Sequence, residues 1–145
     1  MATFNKLNGF VEHVAEGVHN LGSGALTLAL SNTAPGSESS PPTASTANCV
    51  LANVTQISYT NCSSRVLTTS ASAQTGGTYA LTVNDLTLTA SGGTVGPFRY
   101  IYVYNDTPTS PADPLIGYYD YGSSITLADT ETFLFDAGAN IITLA

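Results

Sequence analysis

From Val50 to Ala145 the chain is a succession of short alternating segments, and few folds are open to such a pattern. VLANVTQISY, SRVLTTSASA, TYALTV, LTLTA, PFRYIYVYN, LIGYYDY, SSITLA, ETFLFDA and NIITLA set apolar against polar side chains at every second position. That is the period of a strand, whose successive side chains point to opposite faces. Clusters of Gly, Pro, Asn, Asp or Ser separate most of them, among them TGG at 75–77, ASGGTVGP at 90–97, NDTPTSPADP at 105–114 and DAGAN at 136–140. About eight or nine strands so punctuated predict a mainly β protein, a single-domain antiparallel β-sandwich of jelly-roll-like kind with its body over 49–145.

Ahead of this body the period changes. Phe4, Leu7, Phe10, Val11, Val14, Val18 and Leu21, placed at the helical angle, fall within a stripe about 120° wide. One N-terminal amphipathic α-helix is therefore expected over 3–21, with Thr3 as N-cap and Gly22 at the C′ position. Lys6, Glu12, His13, Glu16, His19 and Asn20 fill the other side and read as a solvated polar face. Gly9 and Gly17 each cost a helix about 1 kcal/mol relative to Ala. Such a helix would cover one sheet or a sheet edge, or dock on a neighbouring subunit. ALTLAL at 25–30 reads as a further strand. The Ser- and Pro-rich stretch at 31–48, SNTAPGSESSPPTASTAN, has no periodicity and is expected to be a long surface loop or arm.

PFRYIYVYN poses its own question. Phe98, Tyr100, Tyr102 and Tyr104 alternate with Arg99, Ile101 and Val103, and neither set is plainly polar. A tyrosine ring packs against apolar surface while its hydroxyl reaches water or a partner. The four-aromatic face is either a second core layer or a contact surface for another protein. The Ile101 and Val103 face is expected to be core, with Tyr100, Tyr102 and Tyr104 nearer a contact surface.

Composition narrows the function classes. Of 145 residues only 9% are charged, and Ser and Thr make up about a quarter. A surface of hydroxyls and amides is cheaper to desolvate than one of charges, which favours broad protein contacts. Lys6, Arg65 and Arg99 stand against ten acidic residues for a net charge of -7. Nucleic acid binding and attraction to an anionic membrane both rest on Lys and Arg, so neither partner is expected. The first 20 residues hold Glu12, Glu16 and two histidines where a signal-peptide core would lie, so cytosolic synthesis is expected. The cytosol keeps thiols reduced. Cys49 and Cys62 are nonetheless a candidate disulfide, worth on the order of 3 kcal/mol if oxidised.

Catalytic constellations are sparse. Glu16 and His19 have the Glu-x-x-His spacing of helical metal sites but lack the ligands a second helix would bring, and His13 and His19 lie 240° apart on an ideal helix. No GxSxG elbow accompanies the serines. Asp106, Asp113, Asp120, Asp129, Glu131 and Asp136 could supply a carboxylate pair, as in any acidic β protein. Asn53, Asn61 and Asn105 begin N-x-[ST] triplets expected to stay bare without export. A non-enzymatic protein is expected, with no cofactor and no metal.

FNKLNGFVEHVAEGVHNLGSGALTLALSNTAP at 4–35, ASGGTVGPFRYIYVYNDTP from 90 and LIGYYDYGSSITLADTETF up to 133 carry a resemblance. They are similar to small virion structural proteins of tailed bacteriophages, and most to the head decoration, or cement, proteins, including those of phages infecting cyanobacteria. Residues 36–75, with both cysteines, depart from any such pattern. The resemblance implies a structural protein made in the bacterial host cytoplasm and bound to the outer capsid surface of the virion. Its partners would be itself, as a homotrimer, and the major capsid protein, whose contacts it would stabilise. Tyr100, Tyr102, Tyr104, Tyr118, Tyr119 and Tyr121 are the candidate subunit or capsid contacts. The alternative is a tail or fibre protein, for instance a glycan-binding adhesin.

Overall fold

A computed structural model describes residues 2–145. In chain order the elements are β1 (Thr3–Lys6), α1 (Asn8–Ala15), β2 (Leu26–Ser31), β3 (Thr69–Thr75), β4 (Thr78–Val83), β5 (Leu86–Thr89), β6 (Val95–Asn105), β7 (Leu115–Leu127), β8 (Thr132–Phe135) and β9 (Ile142–Leu144), with one 3₁₀ turn at Leu51–Asn53. The protein is mainly β with antiparallel sheets and one helix near its start. A four-stranded sheet has the order β1-β7-β6-β2, a three-stranded sheet β3-β4-β9 and a two-stranded sheet β5-β8.

Register decides which side chains meet. Leu28 lies opposite Val103 and Leu30 opposite Ile101 across β2 and β6, and Ile101 faces Tyr119 on β7. That face of the large sheet packs against Leu81 and Val83 of β4, Leu88 of β5, Phe135 of β8 and Ile142 of β9. Phe98 meets Phe133 edge-on with ring centroids 5.5 Å apart, and Tyr119 meets Phe135 in the same manner at 5.2 Å. The result is a sandwich of the large sheet against the two small ones, and Ile101 and Val103 belong to its core. Each fully buried Leu or Phe here contributes about 1.5–3 kcal/mol.

The expected helix over 3–21 is replaced by three pieces. Thr3–Lys6 is an edge strand paired with β7, which sets Phe4 against Tyr119 at 5.2 Å. Only Asn8–Ala15 is helical; its N-cap is Leu7, without a side-chain cap, and its C-cap is Glu16. Gly17, at φ +77, takes the left-handed conformation that ends a helix and turns the chain back. Thr3 and Gly22 therefore cap nothing. Propensity lost to tertiary pairing here: TFNK alternates well enough to join an open sheet edge, and Gly17 breaks the remaining stripe. Val11, assigned to the apolar stripe, is 51% exposed.

Strands expected at 50–59 and 64–68 are absent as ladders, although β3 takes up the end of SRVLTTSASA. The segment instead seals the outer edge of β2 one bond at a time. Ile57 N donates to Leu30 O (3.0 Å), Leu28 N to Arg65 O (2.9 Å) and Leu67 N to Leu26 O (2.8 Å). Leu30 N donates to the Tyr59 hydroxyl at 2.8 Å. With its backbone groups paired in this way the segment needs no regular ladder of its own.

Candidate interaction surface

The large sheet has a second buried face. Tyr100, Tyr102 and Tyr104 stand on β6 opposite the Ile101 side, with Ala29 of β2 and Tyr118 of β7 in the same layer. Leu7, Ala34, Cys49, Leu51 and Val54 cover them. The exposures of the three residues are 7%, 0% and 6%, so the expected contact surface is a second core layer, roofed by Leu7 and by the chain's own 34–54 segment. Ala34, Cys49, Leu51 and Val54 supply the apolar groups that cap the rings. Ser31 Oγ donates to Thr55 O at 2.6 Å and stitches the arm down. Tyr102 OH reaches Glu38 Oε1 at 3.4 Å. Burial, then the Glu38 carboxylate, hold that phenol far above its ordinary range.

A register shift between Phe98 and Tyr100 separates them, and Phe98 enters the main core while the tyrosines keep to the other side. Tyr119 also lies in the main core, and burial pushes its hydroxyl up to about 12. Of the six candidate contact tyrosines, Tyr118 and Tyr121 alone are half-buried rather than buried. Tyr121 packs on Phe133 with centroids 5.1 Å apart. The other four offer a partner almost no area.

Cys49 and Cys62 do not form the candidate disulfide; both are free thiols. Cys49 belongs to the tyrosine layer, where its backbone O accepts from Leu115 N at 2.9 Å. Cys62 packs against the main core beside Ala90. The large sheet separates those two layers, which overrides closeness in sequence. Burial raises the Cys49 thiol to about 11, so it is a poor nucleophile.

The histidines also differ from expectation. The Gly17 turn folds His19 back onto α1, so that the two rings lie 5.9 Å apart instead of on opposite sides of a longer helix. Both are buried, with exposures of 4% for His13 and 9% for His19. His13 Nδ1 and His19 Nε2 have no hydrogen-bond partner among the described residues. His19 Nδ1 stands 3.4 Å from Asn105 Nδ2, and Phe10 packs on its ring at 5.1 Å. Desolvation first, and His13 second, lower His19 to about 4, so it is neutral at pH 7. Among the described residues no three His, Cys, Asp or Glu side chains gather where an ion could sit.

Two of the three basic side chains are committed within the molecule. Arg65 stacks over the Tyr59 ring at 3.5 Å and donates to the Leu28 carbonyl. Arg99 makes a two-pronged pair with Asp120, at 2.7 and 2.9 Å. That pairing, with the Gly122 amide, holds the Asp120 carboxyl below its ordinary range. Both partners are about a third exposed and screened by solvent, so the pair adds little to stability. Lys6 is exposed and has no ion-pair partner among the described residues.

What faces solvent is hydroxyl-rich. Much of the arm at 31–48 is exposed, as is the β3–β4 hairpin from Ser70 to Thr78. Between the hairpin and the His19 turn runs an open groove of about 510 Å³, lined by Val14, His19, Leu21, Ser72, Tyr79 and Leu144. Among the described residues no helix is long and apolar enough to cross a membrane. Sequence reasoning missed Tyr59, Arg65 and Glu38; their partners lie far along the chain, and only the doubly buriable pattern of β6 hinted that a cover was needed. No protein-family model, no curated protein and no solved structure matches the chain.

Proposed function

We propose that this chain is a structural protein of the virion, a head decoration protein that binds the outer capsid surface and steadies contacts between major capsid proteins. The observation that carries the reading is the division of polar groups. The arginines are turned onto Tyr59 and Asp120, leaving an exterior built from Ser, Thr, Asn and acidic side chains around a sheet packed on both faces. Hydroxyls lose little on leaving water when a partner can hydrogen-bond them, whereas unpaired charges lose much. A rigid body with such a surface suits broad, low-cost contact, and many copies on one shell add modest contacts through effective concentration. The resemblance at 4–35 and 90–133 supplies the capsid as the shell and a homotrimer as the assembly at three-fold positions on that shell, distinct from any association of free copies in solution. The alternative of a tail or fibre adhesin gains nothing from the rings, because Tyr100, Tyr102 and Tyr104 are covered.

The test is to image gold-labelled copies on intact virions of the phage that encodes the chain. A regular array over the head supports the proposal, and label confined to the tail or absent from particles refutes it.

A further inference from the structure

We infer that two copies of this chain associate by pairing the outer edges of their β3 strands, antiparallel about a two-fold axis. The inference stands apart from the capsid reading, since it needs only main-chain geometry and charge.

β3 is the edge strand of its sheet. It bonds β4 on one side, and its other side meets no strand among the described residues. The turn at Gly76 and Gly77 has φ of 59° and 87°, the two-residue type that makes Thr75 and Thr78 a hydrogen-bonded pair. Pairs alternate from there, so Ala73 bonds Ala80 while Ser72 and Gln74 turn their N–H and C=O groups away from β4. Ser70 to Thr75 are exposed on both faces, which means that this edge overhangs the core.

Proteins protect such edges with charges, prolines, short strands or covering segments. The remaining edges here show these devices. β1 has four residues ending in Lys6, β9 has three, β5 and β8 have four each, and β2 is sealed by the 57–67 segment. β3 has seven residues, and its one irregularity lies at its base, between Thr69 and Ala71. No charge and no proline occurs anywhere from 66 to 84.

An open row of amide donors and carbonyl acceptors selects another strand as its occupant. Charge selects a second copy. With a net charge of -7, two copies that meet across most of their surfaces bring like charges together. Along the 66–84 stretch they do not. A two-fold axis near Ala73 sets Ser72 of one copy opposite Gln74 of the other, which matches outward donors to outward acceptors and places no carboxylate at the seam. The contact is small and therefore weak and concentration-dependent.

Sedimentation velocity over a concentration series tests this. The wild type should shift reversibly from monomer toward twice its mass. Gln74→Pro removes an outward amide and leaves the main-chain bonds to β4 in place, giving up only the exposed bond from Gly77 N to Gln74 Oε1 (3.2 Å); the pair Ser72→Lys with Gln74→Lys sets like charges face to face and gives up that bond and the exposed Ser72 Oγ–Tyr79 OH bond (3.0 Å). Either change should abolish the mass shift while leaving the far-UV circular dichroism unchanged. If the proline variant misfolds, the lysine pair decides, because both side chains are exposed. A wild type that stays monomeric throughout overturns the inference, and so does a dimer or trimer that survives the lysine pair.

Discussion

Acid should unfold this protein through His19, and the size of the effect can be worked out. In the unfolded chain the imidazole titrates at its ordinary 6.5; in the fold, burial and the neighbouring His13 lower it to about 4. Below pH 6.5 the unfolded state therefore binds a proton that the folded state refuses. The stability is fully present above 6.5 and is lost as pH falls through 4. At 1.36 kcal/mol for each unit, the full loss is about 3 kcal/mol, and about 2 kcal/mol of it arrives by pH 5, before most carboxylates protonate. That is a large share of a typical domain's 5–15 kcal/mol, roughly speaking. Urea titrations at pH 7.5, 6 and 5 should show the midpoint falling by about 1 M at a nearly constant slope, taking roughly 2 kcal/mol per molar for the slope. His19→Gln removes the titrating ring and should flatten the response. A midpoint that holds still between pH 7.5 and 5, or one that falls equally in the Gln variant, would refute the argument.

Gly9→Ala should lower the melting temperature although alanine favours helices by about 1 kcal/mol, because its Cβ would stand 2.6 Å from Cys49 Cβ and 2.9 Å from Thr46 Cα. Overpacking of that kind costs about 1–3 kcal/mol, and differential scanning calorimetry reads the net. Tyr102→Ala should cost about 3–5 kcal/mol in denaturant unfolding as a buried ring is lost, whereas Tyr102→Phe should cost under about 1 kcal/mol, since the hydroxyl has only its long bond to Glu38. Thiol labelling followed by mass spectrometry should find two free cysteines, with half-buried Cys62 modified in native protein and Cys49 modified only in urea.

These expectations rest on features that were unequally visible in the chain. Strand alternation from 69 onward is a local property, and it locates β3 to β9 and the core role of Ile101 and Val103, although it divides into LIGYYDY and SSITLA what is one continuous β7. The helical stripe extends past the true helix because Phe4 and Leu7 fit a helical stripe and an edge strand equally well, and the choice depends on an open edge of β7 more than a hundred residues away. His13 and His19 joined for a related reason: Gly17 bends the chain where a continuous helix would hold them apart. The tyrosine layer was legible only as a question. Its answer lay in Leu51, Val54 and Cys49, which sit in a segment with no strand ladder and so carry no periodic signal.

The covered β6 strand also governs how the molecule opens. Its neighbours β2 and β7 are bonded along both edges, and packed side chains lie above and below it. Amide protons from Tyr100 to Tyr104 can reach deuterium only when the arm, both flanking strands and the opposite sheet have let go together. Their exchange rates would therefore report the whole molecule's equilibrium with its denatured ensemble, while the outward amides of Ser72 and Gln74 on the overhanging hairpin exchange far sooner in a lone copy.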